Sequence, residues 1–361
     1  AIKALTAMGF KDVRFLVPNR FEYGYGLTPE IVRIAAQQKP GLIITVDNGI
    51  SSVEGVELSR ELGIAVLVTD HHLPGAVLPR ANAIVNPNQV GCAFPSKSLA
   101  GVGVIFYVML ALRAALRKSG WFGEQRAEPN LAEYLDLVAL GTVADVVPLD
   151  KNNRILVEQG LRRIRTGLAC PGILALIEVA GRSAARLTAS DIGFTLGPRL
   201  NAAGRLDDIS IGIACLLSND EALSTDIAVE LDGLNKDRQQ IERGMQLEAD
   251  KALDELGESD SSGLPLGLAL YDDQWHQGVV GILASRIKDR YHRPVVCFAK
   301  ENDDDDCGSL KGSARSISGF HIRDAFEAIA TREPNLIAKF GGHAMAAGLV
   351  LERSALDTFT K

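Results

Sequence analysis

The chain has 361 residues, of which 38 are basic and 45 acidic, for a formal net charge of −7. Such a length predicts two or three domains and ample material for a buried core, while 47% hydrophobic and 23% charged residues exclude disorder, collagen and coiled coil for the chain as a whole. The longest nearly apolar run, 99–112, is shorter than the roughly 20 residues of a membrane span, and the acidic balance argues against a non-specific nucleic-acid coat protein.

Ile2, Leu5 and Met8 share one face of a helix that stops at Gly9. No cap precedes Ala1, so the beginning of that helix, and a strand before it, are expected upstream. Apolar runs at 13–17, 42–46 and 65–69 predict strands, and 51–62 predicts a short helix between the second and third. Strand, helix, strand within about 30 residues is the pattern of a parallel crossover. A further strand, 83–85, runs into Asn86-Pro87-Asn88, and helices are predicted over 103–118, 131–140 and 154–165.

From 219 to 256, Leu223, Ile227, Leu231, Leu234, Ile241, Met245 and Leu253 recur at helical steps without a proline. This predicts one helix of more than about 50 Å, of the kind that bridges two domains. The Ser-rich stretch 259–265 is a predicted linker, and a second α/β unit follows: strand 266–271, helix 279–290 opened by Trp275 and His276, strand 295–299. Asp303 to Asp306 is a solvated acidic loop. Five scattered cysteines form neither a metal-ligand pair nor a disulfide framework, and no charged-then-apolar leader opens the chain; both point to the reducing cytoplasm and away from a membrane.

Chemistry gathers at two strand ends. Asp47 directly follows 42–46, and Asp70-His71-His72 directly follows 65–69. Parallel strands joined by a crossover end at the same edge, where open α/β sheets bind ligands. Carboxylate oxygens with imidazole nitrogens suit Mn²⁺, Mg²⁺ or Zn²⁺, and the lack of thiols disfavours structural zinc. A single Asp after a strand also serves as a helix cap or turn residue; two such clusters in one crossover favour the ligand reading. Asp145 ends an apolar helix, either as a turn acid or as a carboxylate that needs a partner or a metal.

Cations gather elsewhere. Between 307 and 323, Lys311, Arg315 and Arg323 occur without an acid, interleaved with Ser309, Gly312, Ser313, Ser316 and Gly319. This is either a phosphate-approach loop or a polar loop beside a strand. Segment 197–205 carries Arg199 and Arg205 and no acid, which fits backbone contacts better than base reading. Gly341-Gly342-His343 is a backbone-approach element or a turn, and Trp275 is a base-stacking or a core residue.

Val46-Asp47-Asn48-Gly49-Ile50-Ser51-Ser52, Thr69-Asp70-His71-His72 and Val143-Ala144-Asp145-Val146-Val147-Pro148-Leu149 resemble the second, third and fourth motifs of the DHH phosphoesterases. More narrowly, the chain resembles the single-strand-specific 5′→3′ DNA exonucleases of that family. That match also rests on Pro18-Asn19-Arg20-Phe21, Ser98-Leu99-Ala100-Gly101-Val102-Gly103, Gly197 to Arg205, Trp275 to Gly281 and Gly341 to Ala344, and it covers nearly the whole chain.

The resemblance implies an α/β architecture: a parallel-sheet DHH domain over 1–218, a linking helix over 219–257, and a smaller α/β DHHA1 domain over 258–361 that closes over the active cleft. It implies two Mn²⁺ or Mg²⁺ ions, with Asp47 bridging them and His71 and Asp145 ligating one. His72, near the scissile phosphate, and Asp70, supporting the cluster, are the implied catalytic residues. Arg20, Arg199, Arg205, Ser313, Arg315 and His343 are the implied phosphate and nucleic-acid contacts; Ala314 stands where the family often has Gly. Single-stranded DNA with a 5′ end is the implied substrate, with a single-strand-binding protein and a helicase as partners in repair and recombination. The family's first motif, an Asp-x-Asp expected before the first helix, is absent from residues 1–361. The chain by itself is therefore expected to be inactive, without both metal sites.

Two other readings compete: an oligoribonuclease or cyclic-dinucleotide phosphodiesterase with the same metal core, and an inactive DNA-binding scaffold. The long helix and segment 197–205 favour a channel for a strand, and the intact Asp47, Asp70, His71, His72 and Asp145 argue against a scaffold. Net charge does not exclude DNA, because the cations that matter are local.

Overall fold

A computed structural model describes residues 1–17, 26–259, 264–301 and 308–361. The motif containing Arg20, the acidic loop 303–306, Cys307 and residues 260–263 of the expected linker lie outside these. The chain divides into two compact units, Ala1–Asn235 and Lys236–Lys361.

The first unit is built on three parallel strands in the order β1 (Leu42–Val46), β2 (Ala65–Thr69) and β3 (Ala83–Val85). Val46 pairs with Thr69, and Thr69 with Val85, so all three strands end level. Before the sheet come α1 (Ile2–Ala7) and α2 (Pro29–Ala36). Thr28 caps α2 by accepting from the Ile31 N–H at 3.4 Å, and Pro29 supplies a first position that needs no donor. α3 (Val53–Glu61) makes the expected crossover from β1 to β2. Ile31 and Val32 of α2, Val56 of α3 and Val66 and Val68 of β2 form one core on the sheet.

Residues 13–17, expected as a strand, are not one. An apolar run becomes a strand only where a neighbour completes its hydrogen-bond ladder; among the described residues none does, and Phe15 and Leu16 stay exposed.

Helices then fill the unit: α4 (Gly101–Lys118), α5 (Leu135–Ala144), α6 (Lys151–Arg165), α7 (Pro171–Val179) and the single turn α8 (Ala189–Asp191). A π-helical stretch, Ile192–Leu196, leads into α9 (Gly197–Leu206), and α10 (Ser210–Leu217) follows. Leu140, Ile164, Ile173, Leu176 and Ile192 are the centre of their shared core.

The long helix exists as α11 (Glu221–Ser259), 39 residues and about 58 Å long. The division of the chain into two units falls within it, between Asn235 and Lys236. Ala228 and Leu231 are buried in the core of the first unit; Met245, Ala249 and Leu253 are buried in the second.

The second unit is a mixed sheet in the order β4 (Leu268–Tyr271), β5 (Val295–Lys300), β6 (Ser309–Arg315), β8 (Ala346–Glu352), β7 (Lys339–Gly342). β4 and β5 run parallel, joined by α12 (Val280–Tyr291), and the remaining pairs are antiparallel. Phe298, Leu310 and Leu351 meet Phe326 of α13 (Ile322–Arg332), and Leu356 and Phe359 of α14 (Leu356–Thr360) pack on this core. Trp275 does not open a helix: α12 starts five residues later, and Trp275 is buried, its Nε1 donating to Glu248 Oε2 at 3.0 Å. That disposes of the base-stacking alternative for Trp275. No helix among the described residues is long and apolar enough to cross a membrane.

Candidate metal centre

The level strand ends put Asp47, Asp70 and Asn86 side by side, because each is the first residue after its strand. The ladder continues one step further, with the Asp47 N–H donating to Thr69 O at 3.0 Å and the Asp70 N–H to Val85 O at 3.1 Å. Asp47 turns the chain in the left-handed region, φ 66°, which Asp tolerates better than most residues.

His71 is the centre of the cluster. Its Nε2 lies 2.9 Å from Asp47 Oδ1 and 3.4 Å from Asp145 Oδ2. Asp145 arrives as the residue that ends α5, with Val146 after it at φ 59°. The hydrogen bond to Asp47, with the charges of Asp145 and Asp47, holds the His71 pKa above its usual value against burial. Burial and the nearby Asp47 charge push Asp145 up.

Asp70 is 1% exposed and fully engaged. Its Oδ1 accepts from the His71 N–H (2.7 Å), the His72 N–H (3.1 Å) and His72 Nδ1 (2.7 Å), and its Oδ2 from the Ile50 N–H (2.9 Å). Burial alone would raise its pKa; the His72 imidazole and the three backbone donors overcome that and hold it low. The same bond from His72 to Asp70 raises the pKa of His72. Asp70, expected among the catalytic groups, accepts four hydrogen bonds from the chain's own donors, an arrangement that suits its expected support of the cluster.

Four contributors drew no role from the sequence. Asn86 Nδ2 donates to His72 O at 2.8 Å, and Asn88 Nδ2 to His71 O at 2.5 Å. Gly101, the first residue of α4, approaches Asp47 so closely that a Cβ there would lie 2.5 Å from Asp47 Oδ1. The loop before Gly101 is held by buried Asn153, which donates to Ser98 O (2.7 Å) and to Pro148 O (2.9 Å). One side chain thus braces both the approach to Gly101 and the turn after Asp145.

This donor set fits a divalent cation. Ligand atoms of Asp47, His71 and His72 all lie within 4.8 Å of one another, and Asp145 adds a second carboxylate beside His71. Two like charges gathered around one imidazole repel unless a cation sits between them, and oxygen with imidazole donors suits Mn²⁺ or Mg²⁺.

The predicted cationic residues divide. Arg199 is turned inward: its Nε and Nη2 lie 2.9 and 2.8 Å from Asp232 Oδ1, and its Nη1 donates to Thr195 O at 2.6 Å. It is committed to bracing α9 against α11 instead of taking a phosphate, a correction to its expected role. Arg205 is half-buried in the last turn of α9. In the second unit, β6 alternates so that Leu310 and Ala314 enter the core while Lys311, Ser313 and Arg315 share the other face. A Cβ on Gly281, in the first turn of α12, would lie 2.9 Å from Ser313 Oγ and 3.1 Å from Arg315 Nη2. Ser313 and Arg315 therefore stand beside a helix N-terminus, where backbone N–H groups favour anions. Arg315 pairs across the sheet with Ala346, and the exposed His343, in the turn between β7 and β8, donates its N–H to Ala346 O at 2.8 Å. Arg315 and His343 thus share one sheet edge.

Comparison with known proteins places this geometry. Residues 1–142 match the DHH family, N-terminal domain, and residues 266–361 match the DHHA1 domain. A crystal structure of exonuclease RecJ bound to manganese superposes with a TM-score of 0.81 at 33% identity, covering 99% of this chain and 83% of that one. The chain belongs to the RecJ family. RecJ of Dickeya dadantii, a single-stranded-DNA-specific exonuclease, is 62% identical over 359 residues, 99% of this chain. The Escherichia coli RecJ is 60% identical over 360 residues. The chain spans 62% of the length of each of these two relatives.

Proposed function

We propose that this RecJ-family chain carries the metal-dependent hydrolytic centre of a 5′→3′ exonuclease acting on single-stranded DNA in repair and recombination. The observation that carries the reading is the convergence of Asp47 and His71, at level strand ends, with Asp145, at the end of α5, in a chain similar to a RecJ bound to manganese. Asp47, His71 and Asp145 would hold Mn²⁺ or Mg²⁺, with Asp47 placed to bridge two ions. When bound, such ions activate water and stabilise the attacking and leaving oxygens of an in-line displacement.

The chain's own residues do the rest. Asp70 orients the His71-His72 turn and, by its bond to His72 Nδ1, fixes the imidazole whose other nitrogen would donate to the scissile phosphate or the leaving oxygen. Ser313 and Arg315, with His343 on the same edge, are suited to backbone phosphates, and Arg20 and Arg205 are the proposed further contacts by their place in the family motifs. Contacts of this kind read backbone and not bases, which fits a sequence-independent nuclease. The domain limits we propose are 1–218 for the DHH part, 219–257 for the linking helix and 258–361 for the DHHA1 part. An enzyme confined to single strands needs duplex opened for it, so a helicase and a single-strand-binding protein are the proposed partners. The scattered spacing of the cysteines in the sequence is the ground for the proposed cytoplasmic location.

The test uses the full-length gene product with Mn²⁺. A 5′-phosphorylated single strand of several tens of nucleotides is expected to be degraded from its 5′ end, faster than a duplex or a dinucleotide. Preference for the dinucleotide would replace this reading with that of an oligoribonuclease or cyclic-dinucleotide phosphodiesterase.

A further inference from the structure

We propose that Asn86 and Asn88, in the loop after β3, are positioning residues that lock the backbone of His71 and His72 into the geometry a divalent cation needs. This inference rests on the metal-dependent reading above and adds the third strand end to the site.

The argument is one of backbone bonds. His71 and His72 are adjacent, yet their side chains face different tasks, so the two peptide units between and around them must be held against rotation. Each carries one N–H and one C=O on the main chain. Both N–H groups are taken by Asp70 Oδ1, at 2.7 and 3.1 Å. Both carbonyls are taken by the Asn pair: His72 O by Asn86 Nδ2 at 2.8 Å, and His71 O by Asn88 Nδ2 at 2.5 Å. The four main-chain polar groups of the dipeptide are thus tied to three side chains on two separate strand ends.

The pair is itself braced. Asn86 is 2% exposed, and its Oδ1 accepts from the Asn88 N–H at 2.8 Å, which orients the second amide through the first. Pro87 between them is buried, and its carbonyl accepts from Lys97 Nζ at 2.6 Å. An Asn pair that merely closed its own turn would bond within the turn. These two amides cross instead to the neighbouring strand end, and both recipients belong to the residues on which the metal centre depends. Asp cannot replace either, since a carboxylate has no N–H and would set an oxygen against the carbonyl it should serve.

Two variants test this in the full-length gene product: Asn88→Ala, at the half-buried position, and Asn88→Asp, which keeps the shape and removes the donor. Mn²⁺ binding is read by calorimetry, with thermal unfolding and single-strand affinity in chelator alongside. Supporting groups around metal ligands contribute roughly 10–100-fold in affinity. Both variants should therefore bind Mn²⁺ at least roughly tenfold more weakly, with parent-like unfolding temperature and DNA affinity. Parent-like Mn²⁺ affinity in Asn88→Asp would overturn the proposal, as would a fall in unfolding temperature with metal affinity intact. A parent protein that takes up no Mn²⁺ would instead defeat the metal reading beneath it.

Discussion

A Cβ on Gly101 would lie 2.5 Å from Oδ1 of Asp47, inside any permitted contact. Gly101 begins α4, at a first helical position where the preference for Ala over Gly is weaker than the roughly 1 kcal/mol of a helix interior. In the substitution Gly101→Ala the clash outweighs any helix preference. The new methyl would also lie 2.5 Å from Asp47 Cβ, which is fixed to the backbone, so the strand end must shift, some stability is lost and the Asp47 carboxylate is displaced from His71. The expected outcome in the full-length gene product is a folded protein with a lowered unfolding temperature and strongly reduced Mn²⁺-dependent hydrolysis. Parent-like turnover in a well-folded Gly101→Ala variant would show that this close approach does not matter.

Asp70 makes a stability prediction with a pH sign. Its folded-state pKa is lowered, so the carboxylate stabilises the fold above the ordinary value near about 4 and loses that contribution as pH falls toward the folded value. Asp70→Asn puts an amide where several donors converge, at an expected cost of about 3 kcal/mol at neutral pH. Denaturant unfolding of metal-free protein should show the gap between parent and variant closing as pH drops below about 4. A gap that stays constant across that range would contradict the assignment.

Arg199 and Asp232 form an ion pair in which both side chains are largely buried. Asp232→Asn leaves the guanidinium half-compensated in the interior, and breaking such a pair costs about 3–5 kcal/mol. The unfolding midpoint should fall accordingly, while the salt dependence of single-strand binding should not change. A changed salt slope with intact stability would return Arg199 to the DNA-contacting set.

Much of the centre was legible because it is local. Apolar runs at 42–46 and 65–69 around a short helix define a parallel crossover, and that places Asp47 and Asp70-His71-His72 on one edge without further information. Asp145 needed more, since it reaches His71 from the end of a helix far along the chain. What sequence could not supply was register and proximity. Asn86 gains its partner only because β3 ends level with β2, and the role of Gly101 depends on an approach across the fold. Arg199 shows the opposite error: its own segment lacks an acid, but Asp232 on α11 provides one. Residues 13–17 have the composition of a strand without a ladder partner among the described residues.

Arg315 tests the second unit. Its Nη1 donates to Ala314 O at 2.8 Å and to Ser313 Oγ at 3.2 Å, leaving the group beside the first turn of α12. If it takes one backbone phosphate, Arg315→Ala should weaken single-strand binding for every sequence and reduce the salt slope by about 0.7. Anisotropy titrations at several salt concentrations measure this. An unchanged slope would remove Arg315 from the phosphate-binding set.

The most direct measurement compares the full-length gene product with its Asp47→Ala variant on a 5′-phosphorylated single strand, with Mn²⁺ varied and DNA binding measured in parallel. The expected result is abolished hydrolysis at every Mn²⁺ concentration with single-strand affinity largely retained. Undiminished hydrolysis by Asp47→Ala would contradict a metal centre built on Asp47, His71 and Asp145.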